Sequence, residues 1–343
     1  MNRRRFQQQT FTLTKIFISL GVLLTIFVLG IQVFLLIFAG ILIAILLSAL
    51  STFLSRKIRL NEKFSLGLVI LSLLLFFGIS SYFFFPSLVQ QISNLREVLP
   101  ESMATIRAFL AQYEWGRQMN SGLNFDFDAI SGNVLSGISG AATATFSALA
   151  SLFIVFFIAL YLAVDPDTYV RGFVRLFPLQ QRERVEEVLY ETGHTLKWWL
   201  LGRLLSMAAV GVLTFFSLTF LQVPMAFSLS FIVALLTFIP NIGPIIAAIP
   251  AVMIGFSVSP KTSLYIIILY MAVQGVENYL ITPIIQRRTV NLPPALALAV
   301  QVIGGVLFGF LGLTLSTPLA AAAMVLIERV YIQDTLGDRS RRH

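Results

Sequence analysis

The chain contains no cysteine, and charged residues make up only 12% of its 343 positions. The missing cysteine excludes disulfide bonds, cysteine nucleophiles and cysteine metal ligands. The charged fraction is about half of the roughly 25% that is typical of soluble domains. Hydrophobic residues reach 57%, and the mean hydropathy is +0.87. This composition is typical of a polytopic membrane protein.

Motifs of nucleotide-driven and hydrolytic proteins are also missing. The chain has no GxxxxGK[ST] loop, no HExxH pair and no GxSxG motif, so neither ATP-driven transport nor these enzyme classes are expected. We therefore expect no enzyme activity, no cofactor and no metal site. The formal net charge of +8 does not indicate nucleic-acid binding, because the basic residues flank apolar runs and so reflect membrane topology.

The stretch FIPNIGPIIAAIP, from Phe238 to Pro250, interrupts an apolar run. It lies within Ala226–Val258, which contains no charged residue and exceeds the roughly 20 apolar residues needed to cross a bilayer. Proline lacks an N–H and clashes with the preceding turn, so a continuous helix cannot pass here without a kink. Broken backbone at membrane depth is tolerated only where it is buried in protein or lines a wet cavity. The stretch therefore predicts a solute site at Pro240, Asn241, Gly243 and Pro244.

A second group of candidates lies in the apolar segment Leu264–Pro283, which contains Gln274, Glu277 and Asn278. A carboxylate within a membrane span is rare enough to predict a functional site. Gln274 and Asn278 are four residues apart and are expected to share a helix face. Arg203, the only cation within a predicted span, could pair with Glu277. The pair predicts solute contact or ion and proton coupling, and a purely structural salt bridge is the alternative.

The apolar runs predict an all-α polytopic membrane protein with about eight hydrophobic segments, folded as one integral membrane unit over residues 1–343. The run 16–50 is expected to form a helical hairpin that turns at Gly30–Gln32. From the N-terminus, the expected parts are N-terminal spans (16–85), an extracytoplasmic amphipathic region (86–140), a fourth span (141–164), a cytoplasmic amphipathic region (165–197) and a transport core with broken helices (198–330).

The positions of arginine and lysine predict the membrane topology of the chain. The positive-inside rule places both termini, the basic loop 56–63 and Arg287–Arg288 in the cytoplasm. A straight crossing of Ala226–Val258 would put the double arginine outside, so this run and Ala295–Ile327 are predicted to be re-entrant hairpins. Entry from opposite faces is the inverted-repeat geometry of secondary transporters. The second hairpin adds three residues to the predicted solute site: Gly304, Gly305 and Thr317.

Four stretches of the C-terminal half carry a resemblance to a known family. They are Trp199 with the following GRLLSMAAVG, FIPNIGPIIAAIP, ENYLITPIIQRRTVNLPPALAL and GGVLFGFLGLTLSTPLAA. They resemble the autoinducer-2 exporter family of PerM-like permeases, and the resemblance covers most of the chain. It implies an eight-segment protein of the bacterial inner membrane with an elevator-like exchange mechanism. It also implies a homo-oligomer, since pentamers are known in the family, which often has glutamine at the position of Arg203.

Three functions are consistent with these residues. The first is export of a small polar solute such as autoinducer-2, held by the broken stretch, the glycine-rich hairpin and Glu277 with Asn278. The second is sodium or lithium antiport against protons, in which Glu277 alternates between ion and proton. The third is an oligomeric membrane scaffold. The expected partners are therefore a small polar solute or a monovalent cation, the lipid bilayer and further copies of the chain.

Because the chain has no cysteine, a single introduced thiol can test the threading. In Arg288→Cys the two-hairpin topology places the thiol in the cytoplasm, so an impermeant thiol reagent added to intact cells is expected to leave it unlabelled. Arg107→Cys, in the region predicted to lie outside, is the positive control. Labelling of Arg288→Cys from outside would contradict the two-hairpin topology.

Overall fold

The structure is a computed structural model that describes residues 3–76, 145–283 and 292–338, with isolated positions at 78, 79, 82, 104, 108 and 112. Side chains are described from residue 30 in the first part and from residue 150 in the second. Throughout these parts the regular structure is helical, and no strand occurs in them. The predicted all-α class is confirmed.

The helices are numbered along the chain. They are α1 (Arg3–Ile58), α2 (62–76), α3 (Thr145–Val164), α4 (Pro166–Val174), α5 (Arg182–Phe220), α6 (Ala226–Leu236), α7 (Ile242–Val258), α8 (Pro260–Val276) and α9 (Pro294–Leu326). A 3-10 turn at Leu179–Gln181 precedes α5, and π-helical turns extend α8 over Glu277–Ile281 and α9 over Ile327–Thr335. Four described helices are long and apolar enough to cross a membrane, or up to five if the bent pair α3–α4 is one span. The count of eight segments stays a prediction.

Helix α1 runs without interruption through Gly30–Gln32, so the predicted hairpin in residues 16–50 is wrong. A lone glycine costs a helix only about 1 kcal/mol relative to alanine, and this run contains no proline that would remove a backbone donor. The 56 residues of α1 extend about 84 Å, which exceeds a bilayer core of about 30 Å. One helix instead of two removes the basis for placing the N-terminus and the loop 56–63 on the same side. The cytoplasmic N-terminus stays a prediction.

Helices α1, α2 and α3 pack together. The Ser65 hydroxyl donates to the Ser51 carbonyl at 2.9 Å, and the Ser51 hydroxyl donates to the Glu62 carbonyl at 3.0 Å. A Cβ on Gly40 would lie 2.5 Å from a methyl carbon of Ile158, so α1 and α3 approach closely. The apolar contact is made by Ala44, Leu47, Leu66, Val69, Ala159 and Ala163. The last of the predicted N-terminal spans and the predicted fourth span, to which α2 and α3 belong, are therefore helical where they are described.

The amphipathic region 165–197 is described in full. Helices α3 and α4 meet at 88°. The Asp165 carboxylate caps α4 by accepting from the Thr168 amide at 3.3 Å, and it also accepts from the Thr168 hydroxyl at 2.5 Å. This hydrogen bond holds the pKa of Asp165 below its usual value. Helix α5 then continues from Arg182 into residues 198–220, where the predicted transport core begins. The region 86–140, apart from residues 104, 108 and 112, and the loop with Arg287 and Arg288 lie outside the described residues.

The C-terminal helices pack on α5. Val210 of α5 lies in one apolar cluster with Val233, Ala247 and Val273 of α6, α7 and α8. A second cluster joins Leu218 to Val223, Leu229, Ala251, Met253, Ile254 and Ile266. Nearer its N-terminal end, Leu196 packs with Leu35, Phe38 and Leu42 of α1 and with Leu315 and Ala322 of α9. Helix α5 thus connects the N-terminal unit to both predicted hairpins.

The run Ala226–Val258 is broken, as its prolines predict. It forms α6 and α7, which pack against each other and are separated by residues 237–241. Helix α6 has 11 residues and α7 has 17, and each is shorter than the roughly 20 residues of a full crossing. Entry and exit on the same membrane face remain a prediction.

Helix α9 reverses direction at Gly309, whose φ and ψ are 62° and −146°. Gln301 Nε2 donates to Thr317 Oγ1 at 2.9 Å, although 16 residues of straight helix would separate these positions by about 24 Å. A Cβ on Gly304 would lie 1.9 Å from Ser316 Oγ, so only glycine permits this contact. The chain reversal needed for the second predicted hairpin is present in the segment, and its re-entrant placement in the bilayer remains a prediction.

The reversal should be sensitive to a side chain at Gly309. Its φ and ψ lie in a region that is essentially restricted to glycine, so Gly309→Ala is expected to lower the free energy of unfolding by about 1–3 kcal/mol. No atom lies within 4 Å of the added Cβ, so this cost comes from the backbone alone. Gly67→Ala, at an equally open helical position, should be neutral or stabilising. Equal stability of the two variants in detergent denaturation would contradict the assigned reversal.

Candidate functional site

The break between α6 and α7 brings two unusual backbone positions together. Asn241 has a φ of 64° and a ψ of −51°, a positive φ that asparagine tolerates better than most residues. A Cβ on Gly243 would lie 1.7 Å from the Leu236 carbonyl oxygen, so α7 begins in direct backbone contact with the end of α6. Gly243 and Pro244 are buried, whereas Asn241 is exposed. The close approach thus requires glycine at position 243, and the positive φ is compatible with asparagine at position 241.

Arg203 of α5 satisfies the backbone at the break. Its Nε donates to the Phe238 carbonyl at 3.2 Å, and its Nη2 donates to the Thr237 carbonyl. A break in a helix at membrane depth frees carbonyl groups, which need polar partners. At Thr237 the partner is a guanidinium, whereas the Leu236 carbonyl accepts from the Ile239 amide at 2.9 Å. The broken end of α6 is thus held by a side chain from another helix.

Glu277 completes the charge balance of this group. Its Oε1 lies 3.1 Å from Arg203 Nη1, and its Oε2 accepts from Gln274 Nε2 at 2.6 Å. The side chains of Arg203 and Glu277 are 11% and 3% exposed, so the pair is buried. The predicted pairing of Arg203 with Glu277 is confirmed. Both carboxylate oxygens and three guanidinium nitrogens are engaged within the protein.

A π-helical turn begins at Glu277, where α8 ends. Such turns add one residue to a helical repeat and occur frequently at functional sites. Gln274 lies on the side of Arg203, while Asn278 is exposed and Glu277 takes the buried position. Gln274 and Asn278 were expected to share a helix face, but the side chain that Gln274 contacts is that of Glu277. Asn278 is not brought to the ion pair.

Aromatic packing flanks the same group. The rings of Trp199 and Phe238 meet edge to face with centroids 5.7 Å apart and planes at 89°. Trp199 lies one helical turn before Arg203, so one ring covers the break from the side of α5. Apolar cover of this kind strengthens the interactions within the ion pair, because it keeps water and its high dielectric constant away.

The glycine-rich hairpin forms a second polar group. Gln301 and Thr317 are joined across the two arms, and Gly304 lies against Ser316 with Gly312 next to it. Gly305 is half-buried. This group comes from α9, which packs on α5 and α1, whereas the Arg203 group comes from α5, α6 and α8. The predicted solute-binding residues therefore fall into two groups of different helices, which share α5 as their support.

Sequence reasoning missed Gln301. It is fully buried, and its Oε1 has no hydrogen-bond partner among the described residues. The signal was available, since Gln301 is the only amide side chain in Pro294–Leu326. Its pairing with Thr317 could not be read from spacing, because it depends on the reversal at Gly309.

The arrangement is that of a multi-pass α-helical membrane protein whose polar groups collect at broken helices, a feature of transporters. Comparison with known proteins agrees. A profile described as AI-2E family transporter matches residues 16–332. The chain belongs to this family, which confirms the resemblance to autoinducer-2 exporters.

Individual relatives cover most of the chain. The Bacillus subtilis protein named "Putative transport protein YueF" is 26% identical over 293 residues, which is 80% of this chain and 79% of that protein. "Putative transport protein YrrI" of the same organism is 24% identical and covers 77% of each chain. "Putative transport protein sll0060" of Synechocystis sp. is 24% identical over 87% of this chain and 86% of its own length. All three names describe transport proteins.

Arg203→Met should destabilise the protein strongly. It leaves the Glu277 carboxylate buried without its counter-ion and the carbonyls of residues 237 and 238 without their donor. Breaking a buried ion pair in this way typically costs about 3–5 kcal/mol of unfolding free energy. Arg171→Met, at an exposed arginine of α4, should change stability by less than about 0.5 kcal/mol. If chemical denaturation in detergent gave the two variants the same stability, Arg203 would not hold the break.

Proposed function

We propose that this protein is a secondary transporter that exports a small polar solute such as autoinducer-2 across the bacterial inner membrane. The observation that carries the proposal is the break between α6 and α7, with an exposed amide at Asn241 and a buried, internally neutralised ion pair behind it. Broken helices at membrane depth collect backbone and side-chain polar groups that lipid cannot satisfy, and transporters use such groups to bind their cargo.

The predicted solute contacts differ in how available they are. Asn241 and Asn278 are exposed, so their side-chain amides are accessible at the surface of the described residues. Arg203, Gln274 and Glu277 are engaged with one another and with the backbone. We infer that the asparagines contact solute directly, while the buried group fixes the shape of the break. Pro240, Gly243 and Pro244 shape the backbone.

An elevator-like mechanism and a homo-oligomer are consistent with the packing. Helices α5 to α8 share continuous apolar clusters and so form a unit that can move as a whole. Helices α1 to α3 form another. Many large apolar side chains remain exposed on the described helices, among them Phe153, Tyr161, Phe216 and Phe220. In a membrane protein such surfaces contact lipid or neighbouring subunits.

Antiport and scaffold functions have less support. An ion carrier at Glu277 would need free carboxylate oxygens, but Oε1 faces Arg203 and Oε2 accepts from Gln274. A scaffold would not need a broken helix, nor a buried ion pair to stabilise it. The scaffold hypothesis would use a face of small residues that includes Gly140 and Ala144, and these two lie outside the described residues.

Solute binding at the break can be separated from backbone geometry. Asn241→Gly removes the amide but permits the positive φ, so efflux of autoinducer-2 from loaded proteoliposomes is expected to fall about tenfold through the loss of its hydrogen bonds. Gln222→Gly is the matched control, since Gln222 is also an amide residue at a positive φ, 54°, in another turn.

Three outcomes would contradict the proposal or the role that it assigns to Asn241. Wild-type efflux no faster than that from protein-free liposomes would reject autoinducer-2 as cargo. Sodium-driven proton flux in the wild type that Glu277→Gln abolishes would favour antiport instead. Equal loss in Asn241→Gly and Gln222→Gly would show that the amide at the break has no specific role.

A further inference from the structure

Gln301 is a buried polar side chain whose hydrogen bonding is incomplete. It is 0% exposed, its Nε2 donates to Thr317 Oγ1 at 2.9 Å, and its Oε1 finds no partner in the part of the chain that the structure describes. Buried polar atoms in folded proteins are almost always hydrogen-bonded, and each exception needs an explanation. Rotating the amide by 180° would leave Nε2 without an acceptor instead. In either orientation one polar atom of Gln301 has no hydrogen-bond partner among the described residues.

The hairpin places this atom among other polar groups. Gly304 follows Gln301 by one helical turn, and its lack of a side chain lets Ser316 approach from the opposite arm. Thr317, the next residue, is the partner of Gln301, so the amide and two hydroxyl-bearing residues meet where the arms cross. Ser316 Oγ itself donates to the Gly312 carbonyl. The free amide atom thus lies in a small cluster built from both arms.

The absence of charged residues in the hairpin limits which ligands it could bind. The sequence of α9 contains no acidic or basic residue, so neither an anion nor a cation would find an opposite charge there. Among the described residues no three acidic or histidine side chains come together in a metal-binding group. A hydroxyl group both donates and accepts, so it satisfies Gln301 in either amide orientation.

We propose that Gln301 binds a hydroxyl group of an uncharged polar solute, with Thr317 as the second contact. This inference rests on the proposed function, because the solute would be the transported cargo. It adds a subsite in the α9 hairpin to the one at the α6–α7 break. The unpartnered amide atom is then the binding group, and it is satisfied when solute is present.

The test compares Gln301→Met with the wild type in lipid nanodiscs. Methionine has a similar volume and removes the unpartnered atom together with the hydrogen bond to Thr317. These two effects oppose each other, so the unfolding temperature without solute is expected to change little. Autoinducer-2 and ribose, as uncharged hydroxylated probes, should raise the unfolding temperature of the wild type. Their affinity for Gln301→Met should be about tenfold weaker, as expected for the loss of a hydrogen bond to a buried amide.

Tyr270→Phe is the matched control. The Tyr270 hydroxyl is also buried without a hydrogen-bond partner in the described parts of the chain, but it packs against the apolar clusters of α6 to α8. This variant should bind both probes as the wild type does. Selective loss of binding in Gln301→Met would support the subsite.

The contrary outcomes are distinct. Equal binding of the probes by Gln301→Met and the wild type would overturn the subsite while leaving solute export intact. No stabilisation of the wild type by either probe would overturn both the subsite and the proposed cargo class. Stabilisation by sodium or lithium chloride that Gln301→Met loses would make the site a cation site and overturn the uncharged ligand. A lower unfolding temperature of solute-free Gln301→Met would make the role of Gln301 structural.

Discussion

The hydrogen bonds from Arg203 to the end of α6 are the interaction on which the C-terminal half depends. A helix that stops inside an apolar region leaves carbonyl groups that lipid cannot satisfy. The guanidinium suits this task because its planar fork can reach two carbonyls and a carboxylate at once, as it does with Phe238, Thr237 and Glu277. A lysine ammonium is a compact point charge without this fixed geometry. The charge requires Glu277, and Glu277 in turn orients Gln274.

Helix α5 links this local interaction to the rest of the fold. Arg203 lies between Leu196, which packs on α1 and α9, and Val210, which packs on α6, α7 and α8. A displacement of α5 along its axis would therefore carry the break with it and shift it against α1 and α9. Because packed side chains deform little, such a unit moves as a body. The broken helix and the hairpin of α9 are thus mechanically connected through one helix, although they do not share residues.

The parts of the structure that the sequence predicted are those set by strong local chemistry. Prolines at positions 240 and 244 predicted the break, and the scarcity of charge in apolar segments singled out Arg203 and Glu277 as partners. The failures involve weak signals or long-range geometry. Gly30 is compatible with a continuous helix, so it gave no turn. The exposure of Asn278 depends on one π-helical turn, and the contact of Gln301 with Thr317 depends on a reversal set by the backbone of Gly309.

The two polar groups differ in which of their charges and hydrogen-bonding atoms lack a partner within the described residues. At the break, charge is balanced internally, and each oxygen of Glu277 already has a donor within the protein. A charged solute would therefore have to displace Arg203 or Gln274 and expose the other partner, which is costly in a buried site. In the hairpin, no charge is present and one amide atom is unsatisfied. Neither group therefore offers an unpaired charge to an ion: the break because its charges are balanced internally, and the hairpin because its sequence contains none.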